Sequence, residues 1–326
     1  LKEFKQVAND HADRLPSLTL HWKWLELGIR TATLDRLDHA PREIQKALEN
    51  ADRSGLYFTA QTLVFLKASV GMTKGDRRLA EAGIDQLASL LDESHYHGHS
   101  VYHHFSGWFQ LLWGDNRKAL AHARKATEIA DETGHRLAAL VCRIQLAFCL
   151  FENDHKKEAG REISHAWNWS RKTGSDIFCF MVLLVKAYFA DRSQSSAALR
   201  YLREGLTIGR RNHFVNMVWW GLPRLWQWTA ATALQADIET DYVKELILLH
   251  RIAAPAPSCV NDQWPWPFRV RTLGGFRIER QGQALAFSGK APQKPLALFK
   301  HIIACAPNAD PVETVIDDLW PRAGRE

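Results

Sequence analysis

One stripe of small and apolar residues recurs five times along the first two thirds of the chain. The interval is about 39 to 40 residues, inside the period range of helical repeats. The copies are Ala40/Ile44/Ala47/Ala51, Ala80/Ile84/Leu87/Leu91, Ala119/Ala123/Ala126/Ala130, Ala159/Ile163/Ala166/Ser170 and Ala198/Leu202/Gly205/Gly209. Each set spans offsets of about 0, 4, 7 and 11, which places its members on one face of a helix. Four positions past each stripe stand Gly55, His95, Gly134, Gly174 and His213. Glycine there suits the left-handed residue that ends a helix.

The residues before the stripes predict where the second helix of each pair begins. Gly75-Asp76, Gly114-Asp115, Asn153-Asp154 and Ala190-Asp191 read as turns with N-cap side chains. Between stripes lie the more apolar and aromatic segments Tyr57 to Val70, Val101 to Trp113, Leu137 to Phe151 and Ile177 to Phe189. They supply the continuous core, while the small residues of the stripe let neighbouring helices approach closely. Leu18 to Leu37 is expected to partner the first stripe. Phe214 to Ala236, kinked at Pro223, and Asp241 to Ile252 are expected to close the array. The period exceeds that of a standard tetratricopeptide repeat and touches the HEAT/armadillo range, so spacing alone predicts an α-solenoid of about six helix pairs.

The helical pattern breaks at Ala254-Pro255-Ala256-Pro257-Ser258, ahead of Trp264-Pro265-Trp266-Pro267. Alternating runs then predict strands at Phe268 to Leu273, Phe276 to Arg280 and Ala284 to Phe287, separated by Gly274-Gly275 and Gln281-Gly282 turns. Helices follow at Leu296 to Ala306 and Pro311 to Trp320. The organisation expected is a helical-repeat domain over residues 1–253, a linker over 254–263 and a small α+β domain over 264–326.

Composition narrows the class. The chain has 326 residues, 46% hydrophobic and 24% charged, as ordinary globular proteins have. Its net charge of +6 comes from a mild excess of Lys and Arg spread along the sequence, which alone does not argue for nucleic acid. Cys142, Cys149, Cys179, Cys259 and Cys305 are odd in number, form no CxxC pair and sit mostly in apolar stretches, so reduced thiols in the cytoplasm are expected. No run approaches the roughly 18 apolar residues of a membrane span. The opening Leu1-Lys2-Glu3-Phe4 is neither a signal peptide nor an initiator methionine, and the chain reads as a piece of a longer protein.

The run WPWPFRVRTLGGFRIERQGQALAFSGKAPQKPLALFKHIIA, with the later DDLWP, resembles the OmpR-type winged helix of bacterial transcriptional activators related to antibiotic regulatory proteins. The resemblance rests on the LGGF turn, the KxxxKPL helix start and the LWP helix end, and it covers Trp264 to Pro321. It implies a DNA-binding domain preceded by repeats similar to the tetratricopeptide-like units of the maltose-regulon activator, with a nucleotide-binding STAND-type ATPase further upstream. The family's recognition helix and C-terminal hairpin would follow Arg322 to Glu326, so the winged helix in this chain is expected to be incomplete.

The resemblance places Lys290, Lys294 and Lys300 at a DNA-facing edge, where lysines position a duplex through phosphates without reading bases. Trp219, Trp220 and Arg224, on an aromatic segment beside the last repeat, are the expected groove for a ligand or partner. The paired tryptophans Trp167/Trp169 and Trp226/Trp228 read as packing between units. His95, His97, His99, His103 and His104 include i, i+4 pairs able to hold zinc, yet no third ligand or HExxH motif accompanies them, and solvated or core histidines are expected instead. The absence of GxSxG, GxxxxGK[ST] and GxGxxG motifs, with Asp317-Asp318 read as a solvated helix end, predicts no catalysis, metal or cofactor in this chain. The expected partners are DNA through a complete winged helix, an inducer, regulatory protein or upstream ATPase on the repeats, and RNA polymerase. The alternative is a protein-interaction scaffold that never touches DNA.

Overall fold

The computed structural model describes residues 39–53, 55, 57–91, 96–217, 220–255, 263–280, 283–285, 293–305 and 311–319. These residues are mainly helical, with one small antiparallel sheet, and the chain divides into two units between Trp264 and Pro265. The segment 18–37 expected to partner the first stripe lies outside the described residues, as do Cys259 and Trp320.

The first unit contains α1 (Ala40–Arg53), α2 (Tyr57–Lys74), α3 (Arg77–Ser89), α4 (Tyr96–Trp113), α5 (Asn116–Glu132) and α6 (Arg136–Glu152). It continues with α7 (Lys156–Thr173), α8 (Asp176–Arg192), α9 (Ala198–Asn212), α10 (Pro223–Gln235) and α11 (Thr240–His250). The five stripes fall on α1, α3, α5, α7 and α9, with Leu91 two residues past the end of α3. Every stripe residue is buried except Ile84 and Leu91, which are half-buried. The small side chains therefore face the neighbouring helices, as their spacing requires. The apolar helices α2, α4, α6, α8 and α10 pack against one another in that order, and each also packs on the next helix in sequence. Burial accordingly runs almost all round α8, from Phe178 to Phe189.

Helix boundaries follow the local chemistry closely. The Asp76 carboxylate accepts from Leu79 N at 3.0 Å, and Asp115 accepts from Arg117 N at 2.6 Å and Lys118 N at 3.3 Å, satisfying orphan donors of α3 and α5. Gly55, Gly134 and Gly174 adopt φ of +64°, +66° and +65°, and His213 takes φ +55° at the equivalent place. His95 lies outside the described residues.

Three boundaries differ from the sequence expectation. Ala190-Asp191 lies inside α8, and the chain turns later, where Gln194 takes φ +55°. The apolar run has no breaker at Ala190, and the Asp191 carboxylate is engaged from outside by Trp228 Nε1 at 2.8 Å. At Asn153-Asp154 the turn forms, but Asn153 closes α6 by donating to Cys149 O at 2.8 Å, and no side chain caps α7. Pro223 does not kink a helix over Phe214 to Ala236. It opens α10 at the first helical position, where proline's missing N–H costs nothing, and 214–217 and 220–222 are irregular.

The second unit contains β1 (Phe268–Arg271), β2 (Arg277–Arg280), β3 (Gln283–Ala284), α12 (Gln293–Cys305) and α13 (Val312–Leu319). The strands pair antiparallel in the order β1-β2-β3, with Phe268 opposite Arg280 and Glu279 opposite Ala284. Gly274 and Gly275, at φ +75° and +123°, make the β1–β2 turn in backbone that only glycine adopts freely. Trp264, expected to open this unit, is instead 3% exposed within the core of the first.

Candidate functional site

After α9 the chain crosses the apolar helices instead of adding another regular pair. Phe214 packs on Phe180 of α8 (5.9 Å between ring centroids), Trp220 meets Phe148 of α6 edge-on at 5.3 Å, and Gly221 O accepts from Trp108 Nε1 of α4 at 2.6 Å. Tyr242 and His250 of α11 hold the crossing segment through Phe214 O and Val215 O. Residues more than a hundred positions apart are thus joined.

Beside this crossing lies a cavity of about 480 Å³ within the first unit. The ends of α2 and α4 form one wall. The crossing segment, the start of α10 and the end of α11 form the other. Its apolar surface comes from Trp108, Trp113, Trp220 and Trp226 with Met72 and Met217. Its charged lining consists of Lys74, Arg224 and Arg251, with no aspartate or glutamate among the described residues. A volume of this size with aromatic walls and a few polar groups is the form small-molecule sites take.

Of the groove residues expected from sequence, Trp220 and Arg224 meet here and Trp219 lies outside the described residues. Trp220 is fully buried and its Nε1 has no hydrogen-bond partner. Arg224 Nη2 lies 3.2 Å from Glu152 Oε2 and the guanidinium sits 5.1 Å from the Phe148 ring centroid, while its Nε lacks a hydrogen bond. Asn216, 3% exposed, adds a side-chain amide to the lining. His250 stacks on Trp226, and burial holds its pKa below the usual histidine value, so a neutral ring donates to Val215 O. Sequence reading missed Asn216, Met72, Trp108 and His250.

The histidine run resolves into two contacts. His103 Nδ1 on α4 lies 3.0 Å from His122 Nδ1 on α5, and His97 stacks on His135 at 4.3 Å. A single proton between the two Nδ1 atoms requires opposite tautomers. Burial first and His122 second push His103 down to about 4, with His99 and Lys125 adding repulsion, and burial also lowers His122 and His97. No three His, Cys, Asp or Glu side chains converge on a metal-sized space among the described residues.

These histidines resist protonation in the folded chain but not in the unfolded one. Both states are largely neutral well above pH 6.5, and as pH falls below it the unfolded state gains protons before the folded one does, down to about pH 4 in the case of His103. Stability is therefore lost on acidification, by an amount that solvent screening of these half-exposed rings keeps modest. Urea unfolding at pH 7 and pH 5.5 is expected to show this loss, and the double substitution His103→Gln/His122→Gln to reduce it. An unchanged pH dependence in the double variant would remove the pair as its source. His97 and His250 supply the remainder.

In the second unit Lys294 is exposed on α12, Lys300 Nζ lies 4.7 Å from the Phe276 ring centroid, and Lys290 lies outside the described residues. Among its described residues none is fully buried, and Phe268, Leu273, Ile302 and Val312 are exposed. Asp317 and Asp318 are exposed on α13. Cys142, Cys149 and Cys179 are buried thiols, and burial pushes Cys142 up to about 12, which removes it as a nucleophile. No helix among the described residues is long and apolar enough to cross a membrane. Neither a scan against protein-family models nor a search of curated proteins returns a match to this chain.

Proposed function

We propose that the chain is part of a cytoplasmic bacterial transcription regulator, in which a tetratricopeptide-like solenoid senses a signal and an attached OmpR-type winged helix carries it to DNA. The observation that carries the reading is the pairing of two different units: helices with a buried small-residue stripe at a fixed period, then three antiparallel strands followed by two helices. Repeats offer broad binding surfaces, and the strand–helix order is that of the resembled DNA-binding domain. Lys290, Lys294 and Lys300 serve as phosphate contacts in this reading, and RNA polymerase and an upstream ATPase module as further partners. Catalysis is assigned to no residue of the chain.

Fluorescence anisotropy tests it directly. Promoter and random duplexes are titrated at two salt concentrations with this chain and with the chain extended along its own reading frame. Preference for promoter DNA that survives added salt, in the extended chain, is the expected result, since phosphate contacts alone fade with salt. Failure of both proteins to bind DNA would overturn the reading. A second reading, an interaction scaffold that does not bind DNA, is favoured by the exposed apolar side chains Phe268, Ile302 and Val312, which suit a protein contact.

A further inference from the structure

The cavity's lining holds unsatisfied donors. Trp220 Nε1 and Arg224 Nε have no hydrogen-bond partner, although each is covered from solvent. Arg224 is ion-paired with Glu152 through Nη2, which offsets its charge and leaves Nε unsatisfied. Asn216, 3% exposed, adds a side-chain amide to the same lining. A buried donor without a partner costs on the order of 1–3 kcal/mol, so two beside one cavity mark a place where acceptors are supplied from outside the chain.

The remaining lining decides the chemistry of the supplier. Indole faces and thioethers provide flat, polarisable walls suited to a ring system. Lys74 and Arg251 add positive charge, and no carboxylate lines the space to oppose it. Gln227 spends its amide nitrogen on Ala253 O and His250 its Nε2 on Val215 O, so the donors left for a ligand are those of Asn216, Trp220 and the cationic side chains. We infer that the cavity is an effector site for an aromatic carboxylate, whose ring enters between the tryptophans and whose carboxylate takes the donors of Asn216, Trp220 and Arg224. Because the walls come from α2 and α4 on one side and from residues 216–217, 220–224, 226–227 and 250–253 on the other, such a ligand bridges the early and late parts of the helical unit. This deepens the sensing part of the proposed function by naming the class of signal.

The test is isothermal titration calorimetry of the full chain with 2-naphthoate as probe, beside 2-naphthalenemethanol as its uncharged counterpart. Binding of one naphthoate per chain is expected, with the alcohol at least about tenfold weaker, the loss of a hydrogen bond to a charged group. Asn216→Ala should weaken naphthoate by about the same factor. Arg251→Glu, at an exposed position, should also weaken it, and less so at high salt. No binding by the wild-type chain, equal binding of the alcohol, or indifference to both substitutions would overturn the inference. DNA binding is read in a separate titration, so an empty cavity with promoter binding intact sinks only the effector assignment, and naphthoate binding without DNA binding sinks only the regulator.

Discussion

Phe148→Ala is expected to lower the stability of the helical unit by about 3–5 kcal/mol, the cost of emptying a large aromatic site in a packed core. Phe148 is fully buried on α6 and stands where three parts of the unit meet. It stacks on Tyr188 of α8 at 5.5 Å, meets Trp220 of the crossing segment at 5.3 Å and lies beneath the Arg224 guanidinium of α10. Truncation removes these ring contacts together and leaves a void that rigid helices on several sides cannot collapse into. It also leaves Arg224 above empty space. Leu137→Ala on the same helix is the comparison, since Leu137 is 40% exposed and its loss should cost no more than about 0.5 kcal/mol. Urea unfolding followed by circular dichroism measures both. Near-equal midpoints for the two variants would mean that Phe148 does not join the elements as described.

The helical unit was legible wherever local chemistry and period agreed. The stripe Ala119/Ala123/Ala126/Ala130 could be read because α5 presents one face to its neighbours, so small residues recur at helical spacing and burial follows. Asp76 and Asp115 could be read because an N-cap is decided within four residues. His213 shows the reach of periodicity: its place in the repeat pointed to a left-handed residue, although its identity did not. The failures came where local signals were ambiguous. Phe214 to Leu222 is as apolar as a helix, and nothing in its spacing reveals that 214–217 and 220–222 are irregular, with Phe214 and Trp220 packed on α8 and α6 and Gly221 bonded to α4. Pro223 is equally at home starting a helix or bending one, and only the backbone before it decides.

The cavity was legible in part for the same reason. Trp220 and Arg224 drew notice because aromatic and cationic residues clustered within a few positions. Met72 and Trp108 come from helices far upstream, and Asn216 and His250 carry no motif, so what unites them is the crossing of the chain after α9. His122 was overlooked because it lies 19 residues from His103, on a helix whose alanines drew the attention. Once α4 and α5 are taken as an antiparallel pair, the two histidines fall at the same level. Contacts across a helix pair can be recovered from a repeat period, whereas a contact across the whole unit, such as Trp108 with Gly221, cannot.

Gly71→Ala and Gly160→Ala should move stability in opposite directions, although both replace a glycine inside a helix. Intrinsic propensity favours alanine by about 0.8–1 kcal/mol in each case. A Cβ on Gly160 of α7 meets nothing within 4 Å, so that gain should appear in full, as a rise of about 2–4 °C in melting temperature for a unit of this size. A Cβ on Gly71 of α2 would lie 2.4 Å from Ala80 N and 2.8 Å from Ala80 Cα, both backbone atoms of α3. No rotamer change relieves contacts with backbone, so the two helices must separate. They are locked from the other side as well, because a Cβ on Gly83 would come within 2.7 Å of Ala68 N. Overpacking of this kind costs about 1–3 kcal/mol or more, which outweighs the propensity gain. Gly71→Ala is therefore expected to melt several degrees below the parent chain while Gly160→Ala melts above it. Parallel stabilisation of both variants in thermal scans would show that α2 and α3 do not approach as closely as their paired glycines allow.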